Sequence, residues 1–549
     1  MHYKVGHNSR NGAALLVVLF VIMVITVLSL GFLSQSDVEL ACGRNMVLKM
    51  QMDYLSESAL EHAKGIILNP QDLENPYYTG AAGLQLIGTS NDYYDISVVF
   101  DESNPNDQCN YIIDCNAYRL KNSEKIGRSN ITAQLRLDPC IALWTGDDLC
   151  VSNLTTIYGD IYCNGTVNND GTIEGDVFAQ SISGDNAAGQ RYDISQLGLD
   201  WPAIYTSSFI DESGVSYSAG DKTLSEDING MLLVDGDLTI DSSSNISLNA
   251  SKNLPALFVT GDMIINSDLD VEGLAVINNR LLINADADIN VEGGLFIGSQ
   301  ILEITSEFSG NDAYAILHNN PTWSEGKYNN SLKFDGSDDY LEVENENLFD
   351  ITNEITVSAW IKVNSFNKNY QAIVTKGDSA WRLQRYSNTN KIEFACSGLS
   401  INQYGNIWSN TGIAYNQWHH VAGVYDGSTI SVYIDGVLDV SNTASGLINT
   451  NNYNVLIGKN AQESGRNWNG WIDDIQVYNR GLDPNEISLI KTGATVSNLV
   501  AHWKLDETGS NINITASPTN TAVLLYSEEG DTIKWGQAAG AFYRSIERN

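Results

Sequence analysis

From Ala13 to Leu33 the chain reads AALLVVLFVIMVITVLSLGFL, 21 residues without a charge, and the first acid arrives only at Asp37. A helix crosses a bilayer core with about 20 apolar residues, so this run is long enough to span a membrane. Lys4 and Arg10 precede it, and a basic flank is retained on the cytoplasmic side while the remainder crosses. A cleaved secretory signal would have a shorter apolar core and a small-residue cleavage site. The text after Leu33, SQSDVELACGRN, offers no such site. The expectation is a retained anchor through residues 13–33, with single-pass placement in the inner (cytoplasmic) membrane and extracytoplasmic bulk, or placement on a pilus or the cell surface.

Beyond the apolar run, Leu48, Met52, Leu55, Ala59, Ala63 and Ile66 recur at helical spacing with Lys49, Asp53, Glu57 and Glu61 between them. The pattern predicts one helix over 13–68 that leaves the membrane and becomes amphipathic, stopped near Gly65 and Asn69-Pro70. A basic leader (1–12) ending in glycine, then an Ala/Leu/Val run and a long helix, resembles the type IV pilin superfamily, closest to its PilX-like and type II secretion K-like minor subunits. The resemblance implies cleavage between Gly12 and Ala13 and partnership with pilin or pseudopilin subunits. The fifth residue after that cut is Val17 where major pilins carry glutamate, which implies a tip or initiating subunit. The alternative is an unprocessed anchor.

The 549 residues leave room for three or four domains, and 43% hydrophobic content argues for folded cores. A net charge of −37 excludes nucleic acid as a natural partner, because a polyanion is bound by clustered Lys and Arg. It suits a solvated extracytoplasmic surface or one that holds divalent cations. Seven cysteines form no CxxC, so zinc is not indicated. In an oxidising compartment Cys109 with Cys115, or Cys140 with Cys150, could pair, leaving an odd thiol.

Residues 69–142 carry alternating strands (Asp95–Phe100, Tyr111–Ile113, Ala117–Leu120, Ile131–Leu137) that predict a small sheet packed on the helix, a pilin-like α+β head. Residues 143–304 repeat short phrases ending in Gly-Asp or Glu-Gly, such as Ile157-Tyr-Gly-Asp160, Ile173-Glu-Gly-Asp176, Val271-Glu-Gly273 and Val291-Glu-Gly293. Repetition of this sort predicts a β-solenoid-like stalk, with 193–230 as an excursion from the coil; a hairpin sandwich is the competing fold. Between Ile141 and Gln300 stand 4 basic residues against 24 acidic ones. The Gly-Asp turns lack the dense register of calcium-binding nonapeptide coils and read as solvated turns.

Residues 310–492 contain LKFDGSDDYLEV, ITVSAWI, WHHVAGVYDG, ISVYIDG and WNGWIDDIQVYNR, each a β-branched and aromatic strand closed by an Asp-Gly or similar turn. An all-β sandwich follows. These phrases, in this order, resemble the LamG-like jellyroll of the concanavalin A-like lectin and glucanase superfamily. The later LVAHWKLDE at Leu499–Glu507 resembles that family's first strand, so residues 493–549 supply either a terminal strand or a degenerate second copy. The fold expected for the whole is mainly β: a transmembrane helix with a small α+β head, a solenoid-like middle and a C-terminal sandwich.

The resemblance implies a calcium site near the binding rim, with Asp335 and Asp474 as ligands; the bland reading makes both aspartates turn caps. Ligand recognition would use exposed aromatics, for which Trp381, Tyr386, Tyr404, Trp408 and Trp468 are candidates, with Trp360, Trp418 and Trp471 assigned to the core. Glu342, Glu344 and Glu346 share one face of an extended segment and so invite a glycosidase reading, but no supporting acid or subsite pattern accompanies them. His419 and His420 point to opposite faces of a strand, which excludes a joint metal site. The function expected is a non-enzymatic, anchored, pilin-like surface protein presenting a module for a cell-surface or extracellular glycan or protein; the rivals are a structural anchor without a pilus role and a glycan hydrolase.

Overall fold

A computed structural model describes residues 11–68, 79–101, 110–138, 140–184, 213–241, 254–516 and 540–548, with shorter stretches between them. Helix α1 (Asn11–Leu68) is continuous over 58 residues. Its side chains are exposed from Leu15 to Val47, and by length and composition it could cross a membrane. From Leu48 onward one stripe turns inward: Met52, Leu55, Ala59, Leu60, Ala63 and Ile67 are buried against an antiparallel sheet. Ile67, and not Ile66, closes that stripe. Asp53 and Ser56 at the interface are satisfied by the hydroxyl of Ser129.

The head sheet runs Gly80–Leu84, Asp92–Phe100, Asn110–Lys121, Glu124–Asp138 and then Gly540–Arg548. The last strand comes from the far end of the chain and pairs antiparallel with Glu124–Asp138. The head is thus closed by residues about 460 positions after those that open it.

The middle region is a three-faced stack of parallel strands, which decides for the solenoid over the hairpin sandwich. On one face Leu232, Leu257, Ala275, Leu295, Leu143 and Ile161 stand in a single inward column. On another the column is Leu248, Val271, Val291, Ile514, Ile157 and Ile173. Burying like on like between rungs is what the repeated aliphatic phrases encode. The stacking order differs from the chain order. Strand Ile141–Thr145 lies mid-stack, the chain climbs through Asp160–Asn169 and Val177–Gly184 to Arg191–Asp193, then re-enters at the other end with Val215–Ala219 and returns to Leu295–Ile297, which docks on Ile141–Thr145. The expected excursion over 193–230 is therefore too long, because Val215–Ala219, Lys222–Leu224 and Ile228–Asn229 form a rung.

The Gly-Asp turns hold rung to rung. Asp221 accepts the N–H of Asp237 (3.0 Å) and Asp237 that of Asp262 (2.8 Å), while Asp262 accepts that of Arg280 (3.0 Å). Asp160 and Asp176 do the same on the other side of the junction. At the Glu-Gly phrases, Gly273 and Gly293 adopt φ of 132° and 140°, and a Cβ on Gly293 would lie 2.5 Å from the carbonyl carbon of Gly273. Glycine is required there by both conformation and space.

The sandwich is inserted into one solenoid rung. Ile301–Thr305 leaves the face on which it stacks against Leu281–Asn284, residues 306–511 intervene, and Ile512–Thr515 returns to the face of Leu248 and Val271, between Ile289–Glu292 and Thr155–Tyr158. Ile301–Thr305 also pairs antiparallel with Ala315–His318, so one 12-stranded sheet runs from the solenoid into the sandwich. Carboxylates fasten the stems: Glu507 accepts the N–H of Ser306 (2.7 Å), Glu303 that of Ser510 (2.8 Å) and Asp286 that of Thr508 (3.0 Å). The second sheet is centred on Asn469–Tyr478, Ile355–Val363 and Trp418–Tyr425. Leu499–Trp503 pairs with Asn469–Tyr478 and buries Trp503 fully, so this segment is the sandwich's terminal strand and not a second copy. Helix α2 (Pro484–Ile490), opened by an Asp483/Glu486 capping box, lays Ile487 and Ile490 on the outer face.

Neither disulfide inferred from the sequence forms. Cys115 and Cys150 are free thiols, and Cys140 is bonded elsewhere.

Candidate functional site

Two of the five aromatic candidates are core. Trp381 and Trp468 are fully buried; the Trp381 indole donates to the Phe349 carbonyl at 3.1 Å, and Trp468 packs edge-on against Phe366. In a sandwich the large aromatics that fill the gap between sheets share strand phrases with those at the rim, and alternation alone does not separate them. The reverse error occurs at Trp418 and Trp471, expected in the core and found half-buried, whereas Trp360 is buried as expected.

The other three reach solvent. Trp408 lies on Asn406–Trp408, the last strand of its sheet, and is 39% exposed. Tyr386 stacks on it with ring centroids 4.2 Å apart and planes 7° apart, and Tyr370 stands perpendicular to Tyr386 at 6.5 Å. Arg385 anchors this edge from beneath, donating to the carbonyls of Thr389 and Lys368 with its guanidinium 4.7 Å from the Phe366 ring. Tyr404 is 59% exposed on the turn preceding the Trp408 strand, a turn tied by Asn402 to the amides of Tyr404 and Asn406. The pair, stacked face to face, presents an outer ring face at a sheet edge, the geometry on which a sugar ring stacks.

The calcium nominees do not meet. Asp474 is buried and accepts from the His502 ring at 2.6 Å and from Gln476 at 3.3 Å, so its carboxylate is already committed. Asp335 is exposed and groups with Asp338 and Asp339, their carboxylate oxygens within 4.8 Å of one another. The Asp335 N–H donates to Asp339 (2.8 Å) and the Ser337 N–H to Asp335 (2.6 Å), the turn-cap pattern. Burial and the neighbouring aspartates push Asp339 up to about 7. The trio lines a cleft of about 510 Å³ between sandwich and solenoid, with Asn319, Asn320 and Asn169 opposite. Asp338 and Asp339 were in the sequence as GSDD, but the spacing gave no sign that they fold back on Asp335.

The glutamates of the expected glycosidase face are dispersed among ion pairs. Glu342 accepts from Asn454 and pairs with His318 (3.2 Å), Glu344 pairs with Arg280 (2.7 Å), and Glu346 pairs with the fully buried Lys376 (2.6 Å). His420 is buried edge-on to Trp360, and burial lowers it to about 4; His419 bonds Asp435 at 3.0 Å. Asp473, beside them, accepts the N–H groups of Lys327 and Tyr328, and burial raises it to about 8.

Residues 335–488 match the family model described as the concanavalin A-like lectin/glucanases superfamily, so this chain carries a lectin-like jellyroll domain. Solved structures of similar fold cover about a third of the chain. Domain 4 of AbnA, a GH43 extracellular arabinanase from Geobacillus stearothermophilus, solved with arabinotriose, is 18% identical over 32% of this chain and 82% of its own, with a TM-score of 0.26. The binding domain of botulinum neurotoxin DC, solved with rat synaptotagmin II, is 22% identical over 35% of this chain and 49% of its own, with a TM-score of 0.28. The binding domain of Paraclostridial Mosquitocidal Protein 1 is 16% identical over 34% and 48%, with a TM-score of 0.29. The chain thus spans about half the length of the two toxin domains. No curated protein matches.

Proposed function

We propose that this protein is a membrane-anchored, pilin-like surface protein that uses its lectin-like jellyroll, without catalysis, to hold a glycan on the Tyr386–Trp408 edge. The observation that carries this reading is the stacked pair formed by exposed Trp408, on the terminal strand, and half-buried Tyr386, in a domain matching a lectin superfamily. An aromatic plate on a rigid strand supplies stacking area at little entropic cost. The dispersal of Glu342, Glu344 and Glu346 into ion pairs supports a binding role over hydrolysis. The exposed apolar half of α1, followed by a half that packs on a small sheet, supports the anchor and the pilin-like assembly.

The test is a neutral oligosaccharide array probed with the detergent-solubilised full chain. Trp408→Ala is expected to abolish binding without moving Tm, since the ring is at an edge; an array with no hit sinks the reading. Assay of the same preparation for released reducing sugar separates it from hydrolysis. The anchor and pilin readings divide at the N-terminus: mass spectrometry of protein from cells with an active prepilin peptidase should find a chain starting at Ala13, and a start at Met1 favours the plain anchor.

Calcium belongs to the same proposal in revised form. The Asp335, Asp338 and Asp339 carboxylates are hard oxygen donors of the type calcium takes, and a bound cation would relieve the mutual repulsion that helps hold Asp339 protonated. Millimolar calcium is expected to raise Tm in the parent and not in Asp338→Asn; an unchanged parent Tm removes the site.

A further inference from the structure

On the outer face of the second sheet, away from the aromatic edge, Lys333, Trp471, Lys362 and Trp418 occupy matched positions on four adjacent strands, Asn330–Asp335, Asn469–Tyr478, Ile355–Val363 and Trp418–Tyr425. The pairings are Lys333 with Trp471, Trp471 with Lys362, and Lys362 with Trp418. The row alternates cation and indole. Lys362 Nζ lies 4.3 Å from the Trp471 ring centroid and 5.9 Å from that of Trp418, and Lys333 Nζ lies 5.4 Å from Trp471. Neighbouring strands are about 4.8 Å apart, so the two ammonium groups belong to positions about 10 Å apart along the row.

Lys333 also lines the cleft of Asp335, Asp338 and Asp339, whereas Lys362 stands two strands further along the row. Acids outnumber bases 67 to 30 in this chain; Lys125 and Lys376 stand against carboxylates, whereas Lys333 and Lys362 stand against indole rings. Among the described residues neither Lys333 nor Lys362 has a carboxylate within 4.0 Å. Cation–π contact of this kind is worth about 0.5–1 kcal/mol at an exposed site; it fixes where the ammonium stands without neutralising it. One pleat along, Asn364 donates to Asn469 (2.7 Å), whose amide donates to the Asp335 carbonyl (2.8 Å), forming a polar row parallel to the first. Two half-buried indoles, two cations without a carboxylate partner among the described residues, and an amide row on a rigid sheet complement a chain of sugar rings that bears carboxylates at intervals. Stacking uses the indoles, and charge-assisted hydrogen bonds use the ammonium groups. A densely charged polyanion such as nucleic acid is disfavoured by the chain's net charge of −37.

We propose that this row is a second carbohydrate site, selective for uronate-bearing polysaccharide. It extends the glycan-binding reading to a different face and does not use Tyr386 or Trp408. Polygalacturonate and its fully methyl-esterified form share a backbone and differ in charge, and serve as the probes in affinity electrophoresis of the detergent-solubilised full chain. The expected result is retardation by polygalacturonate at low salt, at least tenfold less by the methyl ester, and loss of the difference at about 0.5 M salt, where the Debye length is about 4 Å and exposed charges are largely screened. The double variant Lys333→Gln, Lys362→Gln is expected to weaken polygalacturonate binding at least tenfold with Tm unchanged, and Trp408→Ala to leave it intact.

No retardation, equal retardation by both polymers, or indifference to the lysine substitutions overturns the proposal. Polygalacturonate binding lost in Trp408→Ala and kept in the lysine variant overturns it too, while leaving the aromatic edge as a glycan site. Loss in the lysine variant alone, together with an empty neutral array, would uphold the row and sink the edge.

Discussion

The solenoid and the sandwich are both all-β, are continuous through one sheet, and differ in what they do with acid. In the solenoid the turn aspartates are spaced one to a rung, and each accepts a backbone N–H of the next rung, as Asp237 does from Asp262 at 2.8 Å. In the sandwich some acids are drawn together or buried: Asp335, Asp338 and Asp339 cluster, and Asp473 is held at about 8 by burial. The periodic region thus uses its turn aspartates for bonds along the stack, while the aperiodic one holds Asp339 and Asp473 in raised-pKa positions and commits others, such as Glu342 and Glu486, to ion pairs. Repetition gives each acid a partner at a fixed offset; without it, partners depend on where loops fold back.

The strongest way to break this contrast is at the joint. Ile514, on the returning strand, fills the inward column between Val291 and Ile157 and is fully buried. Ile514→Asp places a charge in that column and is expected to cost on the order of 5 kcal/mol, combining lost burial with an uncompensated ion. Because the column is the solenoid's own core, limited proteolysis should cut between residues 141 and 305 while the fragment spanning 310–505 persists. A variant that instead loses the sandwich first would show that the inserted domain depends on the stack.

How the sequence disclosed these regions follows from the same difference. The solenoid was legible in its phrases because each rung repeats its neighbour's burial, so Val271-Glu-Gly273 and Val291-Glu-Gly293 announce a parallel pair, and the register indeed sets Val271 opposite Val291. The sandwich was legible from alternating strands. Its insertion was not, because Asn511-Ile-Asn-Ile-Thr515 is too short to carry a period and its two neighbours in the stack lie about 220 and 360 residues earlier. The strand Gly540–Arg548 is hidden in the sequence for the same reason: its partner lies in the head. The aromatic edge was half legible. Tyr386, Tyr404 and Trp408 reach solvent, but Trp381 and Trp468 obey the same alternation and fill the core, and only the three-dimensional order of strands distinguishes the edge from the middle.

The next largest effect concerns pH. An aspartate whose native pKa is raised from 3.8 to about 8 binds its proton more tightly folded than unfolded, so stability falls as pH rises from about 4 to about 8 and is level above that. Glu507, raised to about 7 by burial at the insertion stem, acts in the same sense. Asp473→Asn mimics the protonated form and keeps an acceptor for the Lys327 and Tyr328 amides. Urea unfolding of the sandwich across pH 4–8 should lose on the order of 3 kcal/mol in the parent, after allowing for local relaxation, and clearly less in the variant. Equal slopes would mean that Asp473 titrates normally. The solenoid offers the counterpart: Asp237→Ala removes one rung acceptor and is expected to cost about 1–2 kcal/mol, and Asp237→Asn, which still accepts, well under half of that.

The smallest effect tests whether backbone or charge joins the two regions. Arg280 stands where the ladder of Asp221, Asp237 and Asp262 would place another aspartate; its N–H bonds Asp262, and its guanidinium reaches back to Asp262 (2.7 Å) and across to Glu344 of the sandwich (2.7 Å). The reversal of sign falls at the rung beside the insertion, so the residue reads as a clamp. Partly exposed ion pairs contribute at most about 1 kcal/mol, whereas the pairing of Ile304 with Ile316 and Thr305 with Ala315 carries one sheet through the junction. Arg280→Gln is therefore expected to lower stability by about 1 kcal/mol or less and to leave the distance distribution between spin labels on exposed solenoid and sandwich positions no broader. A broadened distribution would make the ion pairs, and not the shared sheet, the device that holds the lectin-like domain in a fixed direction.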